Sequence, residues 1–231
     1  IGSMNIVFMG TPNFSLPTLK KLYESSHNIQ LVVTQPNRPK GRGLKSSPPP
    51  VKQFALEKGL PVLQFEKSVN TKIVSTLRKV DADIFIIVAF GQILKENVLN
   101  LPRHFCVNLH SSILPKYRGA APIHWAIING ETETGVTTMK MDTGLDTGDI
   151  LLTSKVPIKS EDDSQSLHDS LSYKGASLVL ETLRRLDTGT LRSFPQDSSL
   201  ASYAPKLKKE DGLIHWNESA LKIHNRVRGL L

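Results

Sequence analysis

Short runs of branched apolar residues alternate along the chain with segments of helical periodicity. The clearest run, IFIIVA at residues 84–89, is continuously apolar, which is typical of a strand buried on both faces. Strands are predicted at residues 5–9, 29–34, 61–63, 84–89, 105–109, 136–141 and 150–156. Helices are predicted at residues 16–23, 51–58, 71–80, 121–129, 166–186 and 219–228, with Ser15 and Ser219 as the N-caps of the first and the last.

This alternation predicts an α/β fold: a Rossmann-like open, mostly parallel sheet with helices on both faces. Such sheets bind their ligands at the carboxyl ends of the strands. Residues 1–3 precede Met4 and resemble an expression scar, and residues 4–188 form the main domain. The polar, strand-poor residues 189–206 are expected to be a linker, and residues 207–231 begin a new unit.

The positive charge of the chain is unevenly placed. The net charge is +8 and the pI is about 9.6, which favours a polyanionic partner such as nucleic acid. Residues 36–52 carry no acid and are rich in proline and glycine, so they are predicted to form a loop that contacts phosphate. The basic residues of this loop are Arg38, Lys40, Arg42, Lys45 and Lys52.

Other features narrow the class of protein. No apolar run is long enough to span a membrane and no secretory signal is visible, so a cytoplasmic location is expected. The single cysteine, Cys106, excludes a disulfide within the chain and a cysteine-based zinc site. The chain contains neither G-x-G-x-x-G nor G-x-x-x-x-G-K-[ST], so a nucleotide held in a glycine-rich loop is not expected.

Residues 106–148 carry the candidate chemistry. Asn108 and His110 are two residues apart at the end of a predicted strand, so their side chains share one face. The following DTGLDTGD loop supplies a carboxylate from Asp142, Asp146 or Asp149, and spacing does not choose among the three. These groups indicate an enzyme of acyl transfer. The amide can stabilise an oxyanion, the imidazole can move protons, and the carboxylate can orient the imidazole. No metal is expected, since only one histidine lies nearby.

Two segments carry a resemblance to a known family. NLHSSILPKYRGAAPI at residues 108–123 and DTGLDTGDI at residues 142–150 resemble the signature of folate-dependent formyltransferases. More narrowly, TQPNRPKGRGLK at residues 34–45 and SYAPKLKKEDGLIHW at residues 202–216 are similar to methionyl-tRNA formyltransferases. Because that family carries a further C-terminal β-barrel, the resemblance implies that residues 207–231 are the incomplete start of a tRNA-binding domain.

The resemblance also implies substrates and site residues. The donor would be 10-formyltetrahydrofolate and the acceptor the α-amino group of initiator methionyl-tRNA, with Asn108, His110 and Asp146 as the catalytic residues of a monomer. The implied folate-binding residues are Phe90, Gly91, Ile93, Leu94, Ser112, Ile113, Leu114, Pro115, Asp142 and Leu145. The implied tRNA-binding residues are Arg38, Lys40, Arg42 and Lys45.

Two alternatives to tRNA formylation stay open. Another formyltransferase acting on a small amine, or a formyl-folate hydrolase, would use the same three catalytic residues. A non-catalytic RNA-binding module on the same fold is the second alternative, and the presence of all three residues disfavours it.

Overall fold

A seven-stranded sheet organises the chain in the computed structural model, which describes residues 2–40, 45–65 and 71–231, except for the side chains at positions 40 and 45. The strands are β1 (Asn5–Gly10), β2 (Asn28–Thr34), β3 (Arg38–Lys40), β4 (Lys45–Ser47), β5 (Val62–Gln64), β6 (Ile84–Val88), β7 (Cys106–His110), β8 (Arg118–Gly119), β9 (Glu133–Lys140), β10 (Ile150–Pro157) and β11 (Tyr203–Ala204). The helices are α1 (Leu16–Tyr23), α2 (Pro50–Glu57), α3 (Thr71–Lys79), α4 (Glu96–Leu99), α5 (Pro122–Ile128), α6 (Ser164–Asp187) and α7 (Ala220–Leu230).

The strand order in the sheet is β10-β9-β7-β6-β1-β2-β5. The five strands from β7 to β5 pair in parallel, while β9 is antiparallel to both β7 and β10. This architecture confirms the predicted Rossmann-like, mostly parallel sheet. The observed boundaries differ from the predicted ones by up to three residues, the largest shift being β9, which begins at Glu133.

Two apolar cores cover the two faces of the sheet. The larger core joins the sheet to α1, α2, α5 and α6, and the smaller one joins it to α3 and α4. Along β7, Val107 and Leu109 are in the larger core and Cys106 is in the smaller one. Because side chains alternate along a strand, Asn108 and His110 lie on the face of the smaller core.

One local prediction was right only in position, at Ser15, and one was wrong, in the basic loop. Ser15 occupies the N-cap position of α1, but its side chain does not cap the helix: its hydroxyl donates to the carbonyl of Val88 at 2.5 Å, since a 3-10 turn leads directly into the helix. The basic segment is not a loop throughout, because β3 and β4 pair as an antiparallel ladder. Ser219, by contrast, is the N-cap of α7, with its hydroxyl accepting from the Lys222 amide at 3.3 Å.

The predicted linker is bound to the main domain by backbone hydrogen bonds. Phe194 and Ile150 exchange two backbone hydrogen bonds, with N···O distances of 2.8 and 2.9 Å. Farther along, β11 pairs in parallel with β8 in the loop that follows β7. Among the helices of the described residues, none is both long and apolar enough to cross a membrane.

Gly175 of α6 gives a test of this packing. A β-carbon there would lie 2.5 Å from a methyl carbon of the buried Leu109, the residue between Asn108 and His110. Alanine gains about 1 kcal/mol over glycine from helix propensity, but overpacking costs about 1–3 kcal/mol. Gly175→Ala is therefore expected to lower the free energy of unfolding, measured by denaturant titration.

The matched control is Ser170→Ala on the exposed side of the same helix. That change should leave stability unchanged or raise it slightly. If Gly175→Ala were as stable as the Ser170 variant, the close contact between α6 and β7 would be wrong.

Candidate active site

His110, the last residue of β7, lies between two oxygen atoms. Its Nε2 is 2.8 Å from the carbonyl oxygen of Tyr117, and its Nδ1 is 3.7 Å from Oδ2 of Asp146. The side chain is only 7% exposed, so these oxygens largely replace water around the ring. The structure thus brings together two of the three predicted catalytic residues at the carboxyl end of a strand.

The hydrogen-bond partners of His110 restrict its protonation states. A carbonyl oxygen only accepts, so Nε2 must carry a proton and donate it to Tyr117. Nδ1 is then the ring atom that can gain or lose a proton, and it faces the carboxylate of Asp146. The distance of 3.7 Å is longer than a hydrogen bond, so this contact is electrostatic and leaves Nδ1 room for a reacting group.

Asn108 supplies a side-chain amide that has no partner in the part of the chain that the structure describes. The residue is half-buried, with its backbone paired between Ile87 of β6 and Met139 of β9. Among the described residues, none forms a hydrogen bond with its side chain. The amide is therefore available to donate to a ligand on the same face of β7 as His110.

The structure distinguishes the three candidate aspartates. Asp142 is exposed, and its Oδ1 accepts from the Gly144 amide at 3.0 Å and from Oγ1 of Thr147 at 2.7 Å, so it orders its own turn. Asp149 contributes its backbone carbonyl to a bond from Lys140. Only Asp146, of these three, contacts His110, and its Oδ2 also accepts from the Gly119 amide at 2.8 Å.

Tyr117 is a site residue that the sequence did not reveal in this role. It adopts a positive φ of 58°, which turns its carbonyl toward His110. Its hydroxyl donates to Glu131 at 2.8 Å, and burial raises its pKa to about 12, so the ring stays neutral and anchored. Its amide donates to Oγ of Ser202 at 2.9 Å. No residue pattern marks a backbone carbonyl as functional, so the sequence carried no signal for it.

The residues implied to bind folate are divided among several places. Phe90 and Leu94 are buried after β6, whereas Ile93 is 82% exposed and Leu145 is 60% exposed. Ser112 is buried and its hydroxyl donates to the carbonyl of Lys116. Gly91 has a φ of 81°, and the peptide bond between Leu114 and Pro115 is cis. The two positions that remain are Ile113 and Asp142.

Ile113 and Asp142 line two different cavities. Ile113 is in one of about 260 Å³, with Lys116, Tyr117, Glu131 and Lys155. Asp142 is in one of about 520 Å³, with Leu99, Cys106, Met141 and Thr143. Burial raises the pKa of the Cys106 thiol to about 12, so it is neutral and unreactive. Among the described residues, no cluster of three or more histidines, cysteines or acids could hold a metal.

The basic residues are described only in part. Arg38 is exposed and donates to Oε1 of Gln35 at 3.2 Å. Lys40 and Lys45 end and begin the strands of the β3–β4 hairpin. Arg42 lies outside the described residues.

Comparison with known proteins identifies the family. Residues 4–183 match the sequence profile of formyl transferase, and residues 206–231 match that of the formyl transferase C-terminal domain. The chain belongs to the formyl transferase family. It is 54% identical over 229 residues to methionyl-tRNA formyltransferase of Geobacter metallireducens, covering 99% of this chain and 74% of that one. The enzyme of the same name from Caldanaerobacter subterraneus subsp. tengcongensis is 50% identical over 98% of this chain and 74% of its own.

Solved structures agree on the fold of this formyltransferase. WlaRD, a sugar 3N-formyl transferase, superposes with a TM-score of 0.72 at 22% identity, covering 99% of this chain and 80% of that one. Glycinamide ribonucleotide transformylase 1 from Symbiobacterium toebii gives 0.67 at 18% identity, covering 84% and 95%. The fold is therefore shared by proteins whose names state different acceptors.

The formyltransferase should depend on Asp146 far more than on Asp142. Asp146→Asn removes the negative charge that faces Nδ1 of His110, and proton-transfer catalysis is typically worth about 10²–10⁴ in rate. We expect a loss of kcat within that range in a formyl-transfer assay. Asp142→Asn keeps an Oδ1 acceptor for Gly144 and Thr147, so its kcat should stay within about threefold of the parent. Equal losses would contradict the distinction drawn from the geometry.

Proposed function

We propose that this formyltransferase transfers the formyl group of 10-formyltetrahydrofolate to the α-amino group of methionine on initiator methionyl-tRNA. The observation that carries the proposal is His110 held between Tyr117 and Asp146. On the same face of β7 lies the amide of Asn108, which has no hydrogen-bond partner among the described residues. The identity of 54% to a protein named for this activity supports the choice of acceptor. The reaction would take place in the cytoplasm, on a monomer, and would prepare the initiator tRNA for translation.

In the reaction, 10-formyltetrahydrofolate would supply the formyl carbon, whose oxygen gains negative charge as the acceptor amine attacks. Asn108 would donate its side-chain N–H to that oxygen. Donors of this type are each worth roughly 10²–10³ in rate in other enzymes. The amine must be neutral to attack, and because α-amino groups titrate at about 7.7–8.0, a useful fraction is neutral near pH 7.

His110 and Asp146 would handle the proton. The attacking amine loses one proton and the departing nitrogen of the donor gains one, so the net transfer balances without an outside acid. Nδ1 of His110 is the ring atom that can carry this proton, since Nε2 is committed to Tyr117. The Asp146 carboxylate would stabilise the imidazole while it is protonated, and the Gly119 amide keeps that carboxylate in place.

The proposed donor site would hold a flat, partly apolar ligand. The exposed apolar side chains of Ile93 and Leu145 would be covered by the folate ring, while the buried Phe90 and Leu94 support the loop beneath. Gln35 donates to the carbonyl of Phe90 at 2.9 Å and so fixes the position of that loop.

The acceptor would be held by the basic hairpin. Gln35 joins the hairpin to the donor loop: it accepts from Arg38 at 3.2 Å and donates to Phe90 at 2.9 Å. A tRNA whose phosphates contact Arg38, Lys40, Arg42 and Lys45 would thus bring its esterified amino acid toward β7. Residues 207–231 would begin the tRNA-binding domain.

A direct assay tests the acceptor. The chain is incubated with 10-formyltetrahydrofolate and methionine-charged initiator tRNA, and formyl-methionine is measured after deacylation. We expect formylation of the initiator, little with charged elongator tRNA, and none with His110→Ala. Transfer to a small amine, or release of formate without transfer to tRNA, would overturn the acceptor and retain the chemistry.

The basic hairpin predicts a salt-dependent acceptor KM. Arg38→Ala with Arg42→Ala should raise the KM for tRNA and leave the KM for 10-formyltetrahydrofolate within about twofold. The slope of log KM against log salt should fall by roughly 0.7–0.9 for each phosphate that the variant no longer neutralises. Arg78→Ala, on an exposed face of α3, is the control. An unchanged slope in the double variant would place the tRNA elsewhere.

A further inference from the structure

We infer that Gln196 and Arg118 form a clamp that positions Asp146 against His110. Neither residue touches the reacting atoms in the mechanism above, so both are positioning residues, and the inference rests on the proposed function for its kinetic consequences. Gln196 lies in the segment predicted to be a linker, and Arg118 lies in the loop after β7. The clamp therefore makes that segment part of the active site.

The side-chain amide of Gln196 is fully engaged. Its Nε2 donates to the carbonyl of Asp146 at 2.8 Å and to the carbonyl of Gly148 at 2.6 Å. Its Oε1 accepts from Nε of Arg118 at 3.1 Å and from one terminal nitrogen of the same guanidinium at 2.9 Å. One amide thus links the turn that carries Asp146 to the loop that carries Tyr117 and Gly119.

The chemistry of the partners allows only one orientation of this amide. A guanidinium only donates and a carbonyl only accepts, so the oxygen of Gln196 must face Arg118 and its nitrogen must face Asp146 and Gly148. Both N–H groups and the oxygen are satisfied in that orientation. Of the twenty side chains, glutamine is the one of this length that carries an acceptor and two donors together.

Asp146 needs support of this kind. Its φ is 54°, a left-handed conformation that costs a residue with a β-carbon about 1–2 kcal/mol. The next anchor, Gly148, lies against the backbone of Lys140, where no β-carbon would fit. The two bonds from Gln196 therefore hold the chain at Asp146 and just beyond it.

Arg118 connects the clamp to His110. It is 2% exposed, and among the described residues it forms no ion pair, so its charge relies on the oxygens of Gln196 and, at 3.4 Å, of Ser198. Its neighbours on both sides hold the site: the Tyr117 carbonyl accepts from His110, and the Gly119 amide donates to Asp146. Movement of Arg118 would displace both contacts of the imidazole together.

Kinetics of three variants test the clamp. In Gln196→Met the side chain keeps a similar length but loses every hydrogen bond, so Asp146 is free to shift. A displacement of about 1 Å at a reacting group can cost about 10² in rate. We expect kcat to fall about 10- to 100-fold, with both KM values within about twofold. Gln196→Glu keeps the acceptor for Arg118 but places a second oxygen against two carbonyls, so it should be impaired at least as much. Gln30→Glu, exposed at the opposite end of the sheet, is the charge-matched control.

The variants separate positioning from general stabilisation. A variant that is less stable but has the parent's kcat would show that Gln196 is only structural. Parental kcat in Gln196→Glu would show that contact with Arg118 alone is needed, and the clamp would be wrong.

A measurement without substrate keeps the inference independent of the proposed function. The Gly119 amide donates to Asp146, so its hydrogen-exchange rate reports on that contact. In Gln196→Met the Gly119 amide should exchange at least about tenfold faster, while amides of β1 and β6 keep their rates. Unchanged exchange at Gly119 would overturn the clamp, whether or not the parent protein transfers formyl groups. If the parent were inactive and exchange at Gly119 were still faster in Gln196→Met, the clamp would stand and only the proposed function would be contradicted.

Discussion

The two ring nitrogens of His110 face oxygens on two different loops. The rest of the site depends on keeping those two loops in fixed positions relative to each other. One oxygen is the carbonyl of Tyr117 and the other is the carboxylate of Asp146. The strand fixes only the position of the ring, because β7 ends at His110. The oxygens that face the two ring nitrogens are therefore positioned by the loops, and each loop contains a residue with positive φ, a conformation that the chain does not favour locally.

Backbone strain occurs at both residues that face His110. Of the four non-glycine residues with positive φ among the described residues, Tyr117 and Asp146 contact His110, while Asp81 precedes β6 and Ala89 follows it. Such conformations persist only where the surrounding contacts determine them. Here the contacts come from the predicted linker: Ser202 binds the Tyr117 amide, and Gln196 binds the Asp146 carbonyl. The polar segment after α6 therefore stabilises the site through hydrogen bonds rather than through apolar packing.

The difference between apolar packing in the sheet and hydrogen bonding around the site explains how far the sequence could predict the structure. Strands such as β6 are continuously apolar, so periodicity located them and gave the parallel sheet, and the same alternation placed Asn108 and His110 on one face. The choice among Asp142, Asp146 and Asp149 needed three dimensions, because all three lie in one turn-rich stretch. The Tyr117 carbonyl and the Gly119 amide are backbone groups, which every residue has, so no residue type could reveal them. The predicted linker lacked apolar periodicity, and hydrogen bonds between side chain and backbone leave no comparable pattern.

In the proposed reaction, selection of the acceptor would then arise outside β7, the strand that carries Asn108 and His110. Proteins named for sugar and glycinamide ribonucleotide acceptors share this fold, so the sheet itself does not define the acceptor. This chain carries positive charge on the segment between β2 and α2, where Gln35 joins Arg38 to the loop that follows β6. In the proposed reaction, phosphate contacts on that segment would bind the acceptor but would carry no information about its amino acid. Recognition of methionine would therefore come from groups closer to β7, where the proposed mechanism places the acceptor amine beside Asn108.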